Sequence, residues 1–188
     1  MFDALLRRRP KSAGSGHKAR PRVGDSLYAA VALQARQPVF YTALGVEDRI
    51  DARFELYTLH VLLLILRLRD EDHAGPGEGA MAAQDLFDVY VSALDNVLRE
   101  LGVGDISMAR KMRTLGEALY GRMTAYEAPV RAGDADLLAV HLARNVYAAD
   151  QAAQAAALTR YALSARASLA AQPFAQVLDA PSWPEIVA

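Results

Sequence analysis

The segment from Ile50 to Arg69 constrains the fold of this chain more than any other part of the sequence. Between Phe54 and Leu68 apolar side chains occupy almost every position, so a helix formed here is apolar nearly all the way round. A helix of that kind is stable in water only in the middle of a bundle. Its longest unbroken apolar run, Val61 to Leu66, is far shorter than the ~20 residues that a membrane-spanning helix needs. The segment therefore predicts a buried central helix.

The rest of the chain also shows the helical spacing of apolar residues, with Pro or Gly at the breaks. These patterns predict helices at about 26–36, 81–101, 108–130, 135–148 and 150–171. No segment has the strict alternation that is typical of strands. The predicted fold class is therefore all-α, a single-domain bundle of six or seven helices with a nearly all-apolar central helix. We expect residues 1–24 to form a basic flexible tail, 25–172 the helical domain and 173–188 an irregular C-terminal segment.

Charge is distributed unevenly, although the net charge is only −1. Residues 1–22 hold seven of the 21 Lys and Arg against one acid, and the remaining body has an excess of seven acids. A protein that recognises nucleic acid concentrates basic charge on the fold itself, so we expect no specific nucleic-acid recognition. The absence of cysteine excludes disulfides, thiol nucleophiles and thiolate metal sites. The apolar start of the chain is too short for a secretory signal, so none is expected.

Motifs that would indicate an enzyme are missing. There is no phosphate-binding loop, no Gly-x-Ser-x-Gly and no helical His-Glu-x-x-His, so we expect no catalytic residue, metal or cofactor. One alternative remains, a helical haem- or small-ligand-binding protein that uses His60 and His141 as ligands. The other interpretation is that both histidines are hydrogen-bonded where helices pack. The acid run Asp70–Asp72 is more simply the end of a helix than an acid/base pair.

Three polar side chains interrupt the apolar surface of the central helix. Arg53, His60 and Arg67 fall within about 40° of one another at helical spacing. A cation on such a helix must be paired or must reach an edge of the fold. The stripe is therefore either a set of pairs with neighbouring helices or the rim of a partner-binding groove.

A second cationic feature lies near the start of the long helix predicted at 108–130. Lys111 and Arg122 lie on one side of it, next to a methionine stripe that consists of Met108, Met112 and Met123. Methionine adapts to irregular partner surfaces. The same pattern is also typical of an ordinary core with a solvated basic edge, so both interpretations stay open.

Two segments resemble a known family, the ubiquinol-cytochrome c chaperones, and the compact size, the Ala-rich composition and the lack of a convincing transit peptide suggest a bacterial member. Residues 54–69 are similar to that family's "Leu-His-Val … Arg-Leu-Arg" helix. Residues 98–112, which begin Leu-Arg-Glu-Leu-Gly-Val-Gly-Asp, are similar to its glycine turn, and Tyr120-Gly-Arg122 to the helix that follows. The resemblance covers about residues 38–147.

The resemblance implies a helical, non-catalytic assembly factor that helps newly made cytochrome b into the cytochrome bc1 complex. Its expected partners are cytochrome b or a bc1 assembly intermediate. Mitochondrial relatives also act with a small partner protein near the ribosomal exit tunnel, which makes a small protein and the ribosome further candidates. The candidate partner-binding residues either match the family's motifs or lie next to a residue that does. They are Arg99, Asp105, Met108, Lys111, Met112, Arg113, Tyr120, Arg122, Tyr126, His60 and Arg67. The candidate structural turn residues are Gly102, Gly104 and Gly121.

The first residues allow a membrane contact. Phe2, Leu5 and Leu6, followed by Arg7, Arg8 and Arg9, form a weak candidate anchor for anionic lipid. A solubilising end without a binding role is the equal alternative. The expected location is cytoplasmic, with peripheral contact to the cytoplasmic face of the inner membrane if the anchor operates.

Overall fold

The computed structural model describes residues 23–72 and 77–187, and within them every regular element is a helix. The elements are α1 Val23–Ala35, α2 Val39–Thr42, α3 Ile50–Arg69, α4 Glu78–Glu100, α5 Asp105–Ala132, α6 Ala135–Val146, the 3₁₀ helix Ala152–Ala155, α7 Ala156–Ala171 and α8 Phe174–Asp179. Six of these α-helices have 12 residues or more. The all-α class and the predicted number of helices are confirmed for the described residues. Of the predicted tail, residues 1–24, the first 22 lie outside them, and Val23 and Gly24 belong to α1.

Helix α3 forms the centre of the bundle, as its sequence predicts. It contacts α1, α4, α5, α6 and α7, and every residue from Thr58 to Leu68 is buried. Burial of one leucine-sized side chain contributes about 1.5–3 kcal/mol before the entropy cost of ordering it. Because eight of these side chains are Leu, Ile or Val, α3 provides a large part of the apolar burial that stabilises the fold.

The acid run after α3 marks the end of the helix and links it to three other helices. The carboxylate of Asp70 accepts a hydrogen bond from Arg131 of α5 at 2.8 Å and is paired with Arg166 of α7. Burial alone would raise the pKa of Asp70, but the hydrogen bonds and charges of the two arginines outweigh it and lower the pKa. The carboxylate of Asp72 accepts from two backbone N–H groups in the first turn of α4, at 3.3 and 2.5 Å.

Several boundaries differ from the prediction. Helix α1 begins at Val23, inside the predicted tail, and α4 and α5 each begin three residues before their predicted starts, at Glu78 and Asp105. A 3₁₀ turn precedes α7 where a continuous helix was predicted. The C-terminal segment is not irregular throughout, since it contains the short helix α8.

The C-terminal segment is held by aromatic side chains. The ring of Phe174 lies 5.7 Å from the guanidinium of Arg67, and the ring of Trp183 lies 5.2 Å from that of His60. Both partners belong to α3. The last described residues therefore pack against the central helix, where they cover its polar side chains.

Candidate functional site

A wide cleft opens where α4 and α5 move apart. The two helices follow one another in the chain, yet they make few contacts with each other. Between them lies a cavity of about 1090 Å³ that is closed on its other sides by the beginning of α3, the end of α1 and the segment that joins α2 to α3. Large apolar side chains of α4 and α5 line this cleft, so we take it as the candidate site.

The wall that α4 contributes is entirely apolar in its last two turns. It consists of Ala93, Leu94, Val97, Leu98 and Leu101. Val97 is 43% exposed and Leu101 is 55% exposed, whereas Tyr90, one turn earlier, is buried against α1 and α3. The first half of the apolar stripe of α4 is thus covered by α1 and α3, and its second half is left uncovered in the cleft.

The opposite wall comes from the middle of α5. Leu115, Ala118 and Arg122 line the cleft. They are spaced three and four residues apart, which places them on one face of the helix. Lys111 occupies the same face one turn before Leu115 and is exposed. The side of the helix on which the sequence places Lys111 and Arg122 is therefore the face of α5 that borders the cleft.

A buried ion pair joins the floor of the cleft to the α5 wall. Glu55 of α3 is 3% exposed, and its carboxylate accepts a hydrogen bond from Nε of Arg122 at 2.9 Å. The hydroxyl of Tyr126 donates to the same carboxylate at 3.4 Å and itself accepts from the amide of Asn145 at 3.0 Å. Burial raises the pKa of Glu55, and the positive charge and hydrogen bond of Arg122 offset part of that rise.

The third side of the cleft is aromatic and charged. The ring of Tyr57 lies 6.4 Å from that of Tyr28, and the guanidinium of Arg36 lies 5.7 Å from the centre of the Tyr57 ring. At the mouth Arg53 is bonded to Asp48 at 2.6 Å. The cleft therefore combines an apolar interior with a polar rim.

The structure separates the predicted partner-binding residues of α4 and α5. Arg122 lines the cleft, and Lys111 lies on the same helix face. Arg113 and Tyr120 are exposed on the opposite side of α5, and Arg99 is exposed on the far side of α4, where it is paired with Asp95. Of these five residues, only Arg122 thus lines the cleft.

The apolar members of the predicted set face the protein interior. Met108 and Tyr126 are buried, and Met112 is half-buried next to them on the same side of α5. Asp105 begins α5, but its side chain lies outside the described part of the structure. The methionine stripe therefore mainly provides packing for the protein itself.

His60 and Arg67 do not reach a partner surface, because their polar atoms bond within the fold. The two ring nitrogens of His60 contact the carbonyl of Leu56 at 2.7 Å and the hydroxyl of Tyr161 at 2.8 Å. Arg67 donates to the carbonyls of Leu169 and Gln172 at the end of α7 and is paired with Glu71. We therefore no longer place these two residues at a partner interface.

The candidate turn residues have three different environments. Gly102 has φ +79° and ends α4 in a left-handed C-cap, as predicted. Gly104 precedes α5 with an ordinary φ of −68°. Gly121 forms no turn, since it lies in the middle of α5.

Sequence reasoning missed most of the cleft. Leu94, Val97 and Leu101 fit the core stripe of α4, and only the divergence of α5 leaves them uncovered. Glu55 gives one weak signal in the sequence, because it is an acid that interrupts a nearly all-apolar helix. Its partner Arg122 is 67 residues away, and no local pattern connects the two.

Comparisons with known proteins agree with this architecture. A family model described as ubiquinol-cytochrome C chaperone matches residues 42–183. Among solved structures, the chain is similar to the crystal structure of the Cbp3 homolog from Brucella abortus, with 30% sequence identity and a TM-score of 0.76. That match covers 87% of this chain and 90% of the Brucella chain. No curated protein matches the sequence. Within the described residues, no helix has both the length and the hydropathy to cross a membrane.

Proposed function

The chain belongs to the ubiquinol-cytochrome C chaperone family, and from this membership we propose that it binds newly made cytochrome b, or an early intermediate that contains it, during assembly of the cytochrome bc1 complex. The chaperone role and the absence of catalysis follow from the family. The identity of the client is the proposal. We place its binding site in the cleft between α4 and α5.

The observation that carries this site is the uncovered apolar wall of α4. Val97 and Leu101 are large apolar side chains, and their joint exposure to water is unfavourable unless a partner covers them. A groove with apolar walls and a polar rim is suited to an apolar or amphipathic helix. A cavity of about 1090 Å³ holds about two turns of a helix whose diameter is ~10 Å. Cytochrome b is a membrane subunit, so it can offer apolar helices to such a groove.

The haem-binding alternative is not favoured by the histidines. His60 is fully buried, and hydrogen bonds occupy both of its ring nitrogens, so it has no lone pair to offer to iron. His141 packs against Tyr126, in a different part of the bundle from the Tyr161 and Trp183 rings that surround His60.

We further propose that the protein works at the cytoplasmic face of the inner membrane. The basic residues Arg7, Arg8 and Arg9, together with Phe2 and Leu6, would supply weak contact with anionic lipid. A small partner protein or the ribosome remain further candidate partners on the basis of the family resemblance.

A pair of charge insertions tests the cleft as the client site. Leu101→Glu places an acid in the α4 wall, whereas Ile106→Glu places one at a fully exposed position on the outer face of α5. In a strain that lacks the native gene, we expect Leu101→Glu to lower the spectroscopic b-type haem of the bc1 complex severalfold and Ile106→Glu to restore it. The level of each variant is checked by immunoblot. Equal restoration by both variants would exclude the α4 wall as the client site.

A further inference from the structure

The α4 and α5 walls of the cleft contain one charged group. Of the residues that these two helices contribute to the lining, only Arg122 carries a charge, and the others are apolar except for the Tyr90 hydroxyl, which is bonded to Thr58. On these two walls, as far as the described residues show, a bound segment therefore meets a single charged group, this guanidinium, whereas the other charged residues of the lining, among them Arg36, Asp48 and Arg53, belong to the third side and the mouth.

Arg122 is held in place through one of its three nitrogens. Its Nε donates to Glu55, and within the described residues no acceptor bonds to either Nη atom. Both carboxylate oxygens of Glu55 have a donor within the fold, because the second oxygen accepts from Tyr126. The side chain of Arg122 is about one-third exposed, so its Nη groups are accessible from the cleft.

The chemistry of a guanidinium then defines the complementary group. It has five N–H donors and no acceptor, and its planar Nη pair matches the two oxygens of a carboxylate. Because Glu55 fixes the orientation of Arg122 in advance, a client group that binds the Nη atoms has little ordering cost to overcome. A lone arginine on an otherwise apolar wall also penalises a segment that offers no acceptor, because its Nη groups then lose their water without a replacement.

We propose that Arg122 recognises an acidic side chain on the apolar helix that the cleft receives. This inference rests on the proposed function, because it assumes that the occupant is a helical segment of the client polypeptide. It goes further by naming what the segment carries: an apolar face with one Asp or Glu that reaches the Nη atoms of Arg122.

The experiment compares two synthetic peptides with the full-length protein. Both are Leu- and Ala-rich 18-residue helices with Lys at the ends for solubility, and they differ only at one central position, Glu or Gln. We expect the native protein to bind the Glu peptide about tenfold to hundredfold more tightly in fluorescence anisotropy, which is the usual range for a charge-assisted hydrogen bond.

The variants are chosen so that the fold survives. Removal of Arg122 alone would leave Glu55 buried without a partner, so the test variant is Glu55→Gln with Arg122→Gln, which keeps a neutral hydrogen-bonded pair. Glu55→Gln alone retains the guanidinium, and Arg113→Gln removes a cation from the opposite face of α5. We expect the double variant to lose the preference for the Glu peptide and the two single variants to keep it. Circular dichroism checks that all of them are folded.

The outcomes separate this inference from the proposed function. Equal binding of both peptides by the native protein, or a preference that persists in the double variant, would overturn the role of Arg122 and leave the cleft as a binding site for apolar helices. Failure of the native protein to bind either peptide would overturn both the role of Arg122 and the cleft as a helix site.

Discussion

His60 sits at the centre of the bundle, and its hydrogen bonds define its protonation state. Its Nδ1 contacts the carbonyl of Leu56, which can only accept, so Nδ1 carries the proton. Its Nε2 then accepts from the hydroxyl of Tyr161, whose oxygen accepts from the side-chain amide of Gln34. The ring of Phe40 meets that of His60 edge-on at 5.3 Å. This arrangement fits a neutral imidazole and leaves no room for a ligand.

The neutral state of His60 makes the stability of the protein depend on pH. Burial lowers the pKa of His60 from 6.5 to about 4 in the folded chain. Between these values the unfolded chain binds a proton that the folded chain excludes, so the free energy of unfolding falls as the pH decreases. The contribution is fully present above pH 6.5 and is lost as the pH falls towards 4. From pH 7.5 to pH 5 we expect a loss of about 2 kcal/mol from this residue.

Urea unfolding at the two pH values measures this effect. Because other groups also titrate, the relevant quantity is the difference between the native protein and His60→Gln. Glutamine can still donate to the carbonyl of Leu56 and accept from Tyr161, but it has no proton to gain. We expect the variant to lose about 2 kcal/mol less than the native protein. The same loss in both would show that His60 is not the buried group that responds to pH.

At the scale of the helices, alanine should change the stability of the protein in opposite directions at two glycines, Gly102 at the end of α4 and Gly121 within α5. Gly102 has a positive φ, and its conformation costs a residue with a Cβ about 1–2 kcal/mol. Gly121 lies within α5, and a Cβ there would meet nothing within 4 Å. Alanine at that position improves helix propensity by up to about 1 kcal/mol.

We therefore expect Gly102→Ala to lower the melting temperature and Gly121→Ala to raise it. A Cβ at Gly102 would also find open space, so a loss of stability there has a backbone cause and does not reflect a collision. Thermal unfolding followed by circular dichroism measures both variants under the same conditions. An unchanged or higher melting temperature of Gly102→Ala would mean that the turn does not impose the left-handed conformation on this residue, and a lower one of Gly121→Ala would contradict the gain in helix propensity.

The helices themselves were predictable because their signals are local. The bounds of α3 coincide with the prediction, Ile50 to Arg69. Its central position was predictable too, because a helix that is apolar on all sides is stable only in the middle of a bundle. Gly102 was also placed correctly by its position after the last apolar residue of α4. The errors fall at the first turns of α4 and α5 and before α7, where the pattern of apolar residues does not specify how the helix begins.

The cleft was less predictable, because it depends on how helices are arranged in space. Leu94, Val97 and Leu101 have the same spacing as the buried residues of α4, and the sequence does not say which of them a neighbour covers. The cations of α5 form a pattern that is visible in the sequence. The ion pair between Arg122 and Glu55 is not visible there, because Glu55 lies on a helix distant in sequence. In the same way, the spacing of His60 and Arg67 correctly predicted that they lie on one side of α3. The spacing does not reveal their hydrogen-bond partners on α7, which hold both side chains inside the fold.

At the scale of the whole molecule, the charge of the chain separates into a basic start and an acidic body. The body has an excess of seven acids, so an anionic surface repels it as a whole. Any attraction to such a surface must then come from residues 1–22, which have a net charge of +6. Of these, Arg7, Arg8 and Arg9 follow directly after Leu5 and Leu6, which are the side chains able to enter the lipid interface.

Replacement of these three arginines tests the membrane contact in the full-length chain. Each basic residue near an anionic surface contributes about 1 kcal/mol, so Arg7→Gln, Arg8→Gln and Arg9→Gln together should weaken binding to vesicles of mixed phosphatidylserine and phosphatidylcholine about a hundredfold at low salt. The matched variant with lysine at the same three positions keeps the charge and should bind as the native protein does. Cosedimentation at low and at physiological salt gives both affinities, and the difference should shrink as salt screens the surface. If the glutamine and lysine variants bind equally, the three arginines do not attach the protein to the membrane, and the client alone would have to bring the chaperone there.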